Sequence, residues 1–97
     1  MSESNDEGEH VEFENDRVKV LRIKMRPGEK TPPRRRGDRV LVWLSDAHHH
    51  RTGDGQQQEL RRRRGEVAWR AASEHQIESL HHEASELIIV ELKPPRR

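Results

Sequence analysis

Two short apolar runs constrain this chain more than anything else in it: Val40-Leu41-Val42-Trp43-Leu44 and Leu87-Ile88-Ile89-Val90-Glu91-Leu92. Both are strand-sized, rich in β-branched residues, and apolar at consecutive positions rather than alternate ones. Strands 38–45 and 86–93, which contain them, are therefore expected at the centre of a sheet and covered on both faces. The remainder is sparse in core formers. Only 29% of the 97 residues are apolar and 38% are charged, a balance that leans towards disorder taken alone. The two runs argue instead for a real but thin core in one small domain.

Turn signals divide the body at close, regular intervals. Glu14-Asn15-Asp16, Arg26-Pro27-Gly28, Arg36-Gly37-Asp38, Thr52-Gly53-Asp54-Gly55 and Gly65 bound segments rich in Val, Ile, Leu, Trp and Thr. This pattern predicts strands at Val11–Glu14, Arg17–Met25, Asp38–Ser45, Gln56–Arg62, Glu66–Arg70, Gln76–His82 and Glu86–Lys93, hence an all-β sandwich or barrel. In Arg17–Met25 the apolar phase slips from Val18 and Val20 to Leu21, Ile23 and Met25, as a β-bulge would cause. A helix over Ala71–Leu87 is the competing reading, but its apolar residues are sparse and its capping box is weak, so strands are preferred. Residues 1–10 read as a disordered acidic tail, 11–93 as the barrel, and 94–97 as a short basic tail.

The chain has no cysteine, which excludes disulfides, iron–sulfur clusters and thiolate metal sites and fits a reducing compartment. No window approaches the roughly 20 apolar residues of a membrane helix, and the acidic amino terminus lacks the apolar core of a signal peptide. A cytoplasmic location is expected. Net charge is +1, but seven acids and no Lys or Arg fall within residues 1–16, leaving the rest strongly basic. The acidic head reads as a solvating tail.

Several stretches together point to a family. They are Phe13-Glu14-Asn15-Asp16-Arg17-Val18-Lys19-Val20, Pro27-Gly28-Glu29-Lys30-Thr31-Pro32, Asp38-Arg39-Val40-Leu41-Val42-Trp43-Leu44, and Gly65-Glu66-Val67-Ala68-Trp69 with His75 beyond it. Across Val11–Asp46 and Gly65–Lys93 the sequence resembles a small single-domain, RmlC-like cupin. That resemblance implies a double-stranded β-helix, or jelly-roll barrel. In the family's first motif a glycine is followed, after five residues, by His-x-His; set on Gly28, those positions fall on Arg34 and Arg36, and the motif's Glu falls near Val40. Set on Gly65, the second motif keeps its histidine as His75, while Ala71, Ser73 and Ser79 replace its Pro, Gly and Asn. Guanidinium has no lone pair to give and repels a cation, so no metal or other cofactor is expected at the family's usual centre.

Each remaining constellation has a plain reading and a sharper one. Arg34 and Arg36, two apart on extended chain, share a face. They form a solvated loop or, if that face is interior, a bidentate grip on a carboxylate or phosphate. Arg61-Arg62-Arg63-Arg64 reads as a charged edge strand that resists sheet-to-sheet pairing. An inward-facing pair would need Glu59, Glu66 or a bound anion to neutralise it. His48-His49-His50 and His81-His82 suit adventitious metal binding better than a structured site, since strand neighbours face opposite ways. His75 is a packing residue or a base near neutrality. Trp43 and Trp69 are core or dimer-interface residues, with the resemblance placing Trp69 near His75.

Two functions follow as expectations. The first is a cupin without the usual metal centre, binding a small anionic ligand through Arg34, Arg36, His75 and Trp69, or serving as a dimeric binding module. The second is a metal-dependent dioxygenase or isomerase whose ligands have moved to His75 with His48, His50, His81 or His82. A homodimer is expected, because two-sided apolar strands need more cover than 97 residues supply. Nucleic acid is not expected as a partner: the chain has no tyrosine, one phenylalanine and no recognition motif.

Overall fold

The computed structural model describes residues 8–94, so most of the expected acidic tail and nearly all of the basic one fall outside the described residues. Nine strands follow one another: β1 (Glu9–Glu14), β2 (Val18–Met25), β3 (Arg34–Arg36), β4 (Arg39–Trp43), β5 (Ala47–Gly53), β6 (Gln56–Arg62), β7 (Val67–Arg70), β8 (Ser73–Ser79) and β9 (Ser85–Leu92). They form a five-stranded sheet ordered β1-β2-β9-β4-β7 and a four-stranded sheet ordered β3-β8-β5-β6, with every pairing antiparallel. The all-β expectation holds, and all seven anticipated strands are present within a few residues. The segment with the competing helical reading is strand β8, a loop and the start of β9.

Two strands were not anticipated. Strands β3 and β5 carry arginines and histidines where a core strand would alternate apolar residues, so neither shows a hydrophobic period. Strand β1 also starts earlier than expected, taking Glu9 and His10 from the predicted tail. The predicted bulge lies in β1, not β2. Val11 pairs with Leu21 and Phe13 with Val20, which leaves Glu12 as the extra residue, while β2 keeps an unbroken register with β9. The phase slip in β2 has a different cause. Leu21, Ile23 and Met25 face the interior, whereas Val18 and Val20 belong to an apolar outer face.

The core is lopsided. Leu21, Ile23, Met25, Leu41, Trp43 and Ile89 come from the five-stranded sheet, with Leu87 and Ala68 packed beside them. The opposite sheet contributes only Ala47 and Ile77 to this cluster. A core fed mainly from one side leaves the other side free to present polar groups inward, and a cavity results.

Two backbone details hold the four-stranded sheet in place. Asp54 (φ 52°) and Gly55 (φ 72°) close the β5–β6 hairpin with the two left-handed residues that a tight hairpin turn requires. At Gly53 a Cβ would lie 2.6 Å from the Glu74 carbonyl oxygen and 2.9 Å from the His75 Cβ, so only glycine lets β5 approach β8 there.

The outer face of the five-stranded sheet is apolar too. Register places Phe13, Val20, Val90, Val40 and Trp69 in one row across all five strands, with Ile88, Val42 and Val67 in the next. Strands β9 and β4 are central as expected, but nothing among the described residues covers this face. Phe13, Val67 and Trp69 are 55%, 59% and 56% exposed.

Candidate binding cavity

Side chains that point inward from both sheets enclose a cavity of about 80 Å³. The five-stranded sheet supplies its apolar wall, principally Ile23, Leu41, Trp43, Leu87 and Ile89, together with Arg39 and Arg70. The other sheet supplies Arg34, Arg36, Arg51, His49, His75 and Ile77. Among the described residues, five arginines and no acidic residue therefore line the space. A neighbouring recess of about 170 Å³ shares Arg34 and Arg36 and is bordered by Glu9.

Strand register explains the convergence. Arg34 is opposite His75 and Arg36 opposite Ser73 on β8, while Arg51 on β5 is opposite Ile77. On the facing sheet, Arg39 lies between Arg70 of β7 and Glu91 of β9. The loop reading of Arg34-Arg35-Arg36 is thus corrected: they form β3, with Arg34 and Arg36 partly buried at the cavity and Arg35 exposed.

Arg39 is 1% exposed and satisfied almost wholly by neutral acceptors. Its guanidinium donates to the Gly37 carbonyl at 2.9 Å, the Ala71 carbonyl at 3.3 Å, Ser73 Oγ at 3.4 Å and His75 Nδ1 at 3.2 Å. A guanidinium only donates, so Nδ1 of His75 accepts and the ring proton resides on Nε2. Burial, with Arg36, Arg51 and Arg70 adding repulsion, pushes Arg39 down to about 10. His75 is pushed down to about 4, first by burial and then by Arg39, Arg51, Arg36 and Arg70. His49 falls to about 4 for like reasons, burial leading and Arg70 and Arg62 following. Both rings are neutral near pH 7.

Glu9 supplies a local counter-charge, its Oε1 standing 3.6 Å from Arg34 and 3.2 Å from Arg36. Farther along, Arg62 packs over the Trp43 ring at 4.9 Å and pairs with Glu66 at 3.0 Å, and exposed Arg61 pairs with Glu59 at 3.6 Å. The two acids expected to neutralise that run do so, and β6 is an edge strand.

Of the sequence-predicted site residues, Arg34, Arg36 and His75 meet at the cavity. Trp69 does not: it points from β7 to the outer face, and Trp43 is the tryptophan that lines the cavity. Arg39 and Arg70 were missed: alternation puts Arg39 on one face with Leu41 and Trp43, a signal that could have found it, whereas Arg70 is placed inward only by its pairing with Arg39. Arg51 and His49 had no such signal, because β5 itself had none.

The histidine clusters do not converge on His75. Within β5, His49 faces inward while His48 and His50 face outward, His48 bonding Glu59. His81 and His82 lie in the β8–β9 loop, where their ligand atoms and that of Glu83 are all within 4.8 Å of one another.

The sequence matches no protein-family model and no curated protein. Solved structures do match. A cupin domain from Bordetella pertussis Tohama I is similar over 89% of this chain and 92% of its own, with TM-score 0.83 and 23% identity. An RmlC-like cupin family protein with a double-stranded β-helix fold, from Methanocaldococcus jannaschii, is similar over 95% and 86%, with TM-score 0.71 and 14% identity. A cupin superfamily protein from Desulfitobacterium hafniense DCB-2 is similar over 96% and 84%, with TM-score 0.68 and 18% identity. The chain has the cupin fold.

Proposed function

We propose that this protein binds a small anionic molecule in its cavity without a metal ion, as a cytoplasmic binding module. The observation that carries the reading is the convergence of five arginines on a space that no acidic side chain among the described residues lines. Such a cavity attracts carboxylate or phosphate and disfavours cations. A metal fits it poorly. The two positions that the cupin resemblance assigns to histidine ligands are Arg34 and Arg36, and Nδ1 of His75 is engaged by Arg39. His49 is opposite Ser79, four residues along β8 from His75, about 13 Å at ordinary strand rise and too far for both to hold one ion.

The test is titration of carboxylates and inorganic phosphate into chelator-washed protein, followed by Trp43 fluorescence in a Trp69→Phe background. Saturable, salt-sensitive binding to metal-free protein is the expected result. Failure of every anion to bind, or stoichiometric metal that resists chelator, overturns the reading.

A second copy is proposed as the occupant of the apolar outer face. An isologous contact needs a self-complementary surface, and a row running from Phe13 through Val20, Val90 and Val40 to Trp69 meets that need.

A further inference from the structure

We infer that the ligand is a compact, oxygen-rich dianion whose charged group is held by Arg51 and Arg70, with Arg39 contributing its charge from behind and Arg34 and Arg36 in a lesser role. This rests on the anion-binding reading above and adds the ligand's charge, size and position.

The five arginines fall into two groups by their partners. Arg34 and Arg36 already share the Glu9 carboxylate. Arg39, Arg51 and Arg70 have no carboxylate at ion-pair distance among the described residues. Glu91, opposite Arg39, has its Oε2 engaged by the Gly37 N–H at 2.6 Å. Three guanidiniums held together without an acid repel one another, and a dianion offsets most of that charge where a monoanion leaves most of it in place.

Hydrogen bonding locates the charged group. Arg39 Nη2 at 3.4 Å and Arg51 Nη2 at 3.5 Å both reach the single hydroxyl oxygen of Ser73, so the two guanidiniums converge on one small region. Of the four solvent-shielded side-chain atoms without a hydrogen-bond partner among the described residues, two belong to the cavity lining, Arg51 Nε and Trp43 Nε1, and Trp43 is 2% exposed. Both orphans are donors, and His75 directs an acceptor at Arg39 rather than inward. A ligand that satisfies them brings acceptors only, as carboxylate or phosphate oxygens do, and no ammonium group.

Size narrows the class further. At roughly 10–15 Å³ for each water-sized occupant, 80 Å³ holds about five to eight non-hydrogen atoms. Phosphate and four-carbon dicarboxylates are of that size, and a larger ligand would have to extend past Arg34 and Arg36 into the neighbouring recess.

The experiment measures binding of inorganic phosphate, succinate, acetate and butyrate at pH 8 to the full chain. It compares Arg51→Gln, Arg70→Gln and the double variant Arg34→Gln with Arg36→Gln. Dianions are expected to bind at least about tenfold tighter than the monoanions, whichever of phosphate or succinate is preferred. Arg51→Gln and Arg70→Gln should each weaken that binding by about tenfold or more, against a few-fold for the double variant. Relief of like-charge repulsion should also raise the melting temperature of both single variants, which loss of a structural arginine would not do. Monoanions binding as well as dianions, the double variant losing more than the single ones, or a lower melting temperature in Arg51→Gln and Arg70→Gln would each overturn the inference while leaving anion binding intact. Failure of all four probes would overturn the underlying reading as well.

Discussion

Arg39 and His75 join the two sheets across the cavity, the guanidinium of one donating at 3.2 Å to Nδ1 of the other. The contact puts a charged group against an imidazole that must stay neutral to receive it. The fold therefore depends on the protonation state of His75, and burial holds His49, in the same sheet, neutral in the same way.

Stability should fall on mild acidification. Both histidines titrate at about 4 in the folded protein, while an unfolded histidine titrates near the ordinary 6.5. Between those values the unfolded chain binds more protons, so the contribution is complete above about pH 7 and is lost as pH falls from 6.5 towards 4. By pH 5 each ring should cost about 1–2 kcal/mol. Urea unfolding at pH 8, 6 and 5 measures this, with the slope reduced in His75→Asn and His49→Asn; a flat profile over the range would contradict it.

Glu9 offers a second test. Its carboxylate moderates the positive charge of Arg34 and Arg36 at the border of both recesses. Glu9→Gln should tighten phosphate or succinate binding a few-fold and steepen its salt dependence, read by calorimetric titration. Unchanged or weaker binding would mean that Glu9 does not set the cavity's charge.

The outer face predicts association. The native chain should scatter light as a dimer at micromolar concentration, and Trp69→Asp with Val67→Asp should make it a monomer. Anion binding should survive the change, because Trp69 and Val67 lie on the other side of the sheet from the cavity. A native monomer would refute the proposed pairing.

The sequence made the fold legible and the site only partly so. Strands β2, β4 and β9 carry clear apolar runs because they build the one-sided core. Strands β3 and β5 were missed because their inward positions are Arg34, Arg36, His49 and Arg51, which line a cavity rather than fill a core. The polarity that hides a strand from periodicity is here what equips the site. Trp69 was misplaced for the converse reason: its flanking residues show a strand but not which face is interior. Only pairing settles that, with Trp69 opposite Val40 and Arg39 opposite Arg70.

Strand β4 alternates Arg39, Leu41 and Trp43 on one side with Val40 and Val42 on the other. A slip of one residue against β9 would exchange the sides, setting an arginine and a tryptophan among the outward valines and drawing the valines into the cavity. One misregistration would then spoil pocket and outer surface together, so a misassembled chain fails in both respects instead of surviving as a half-working species.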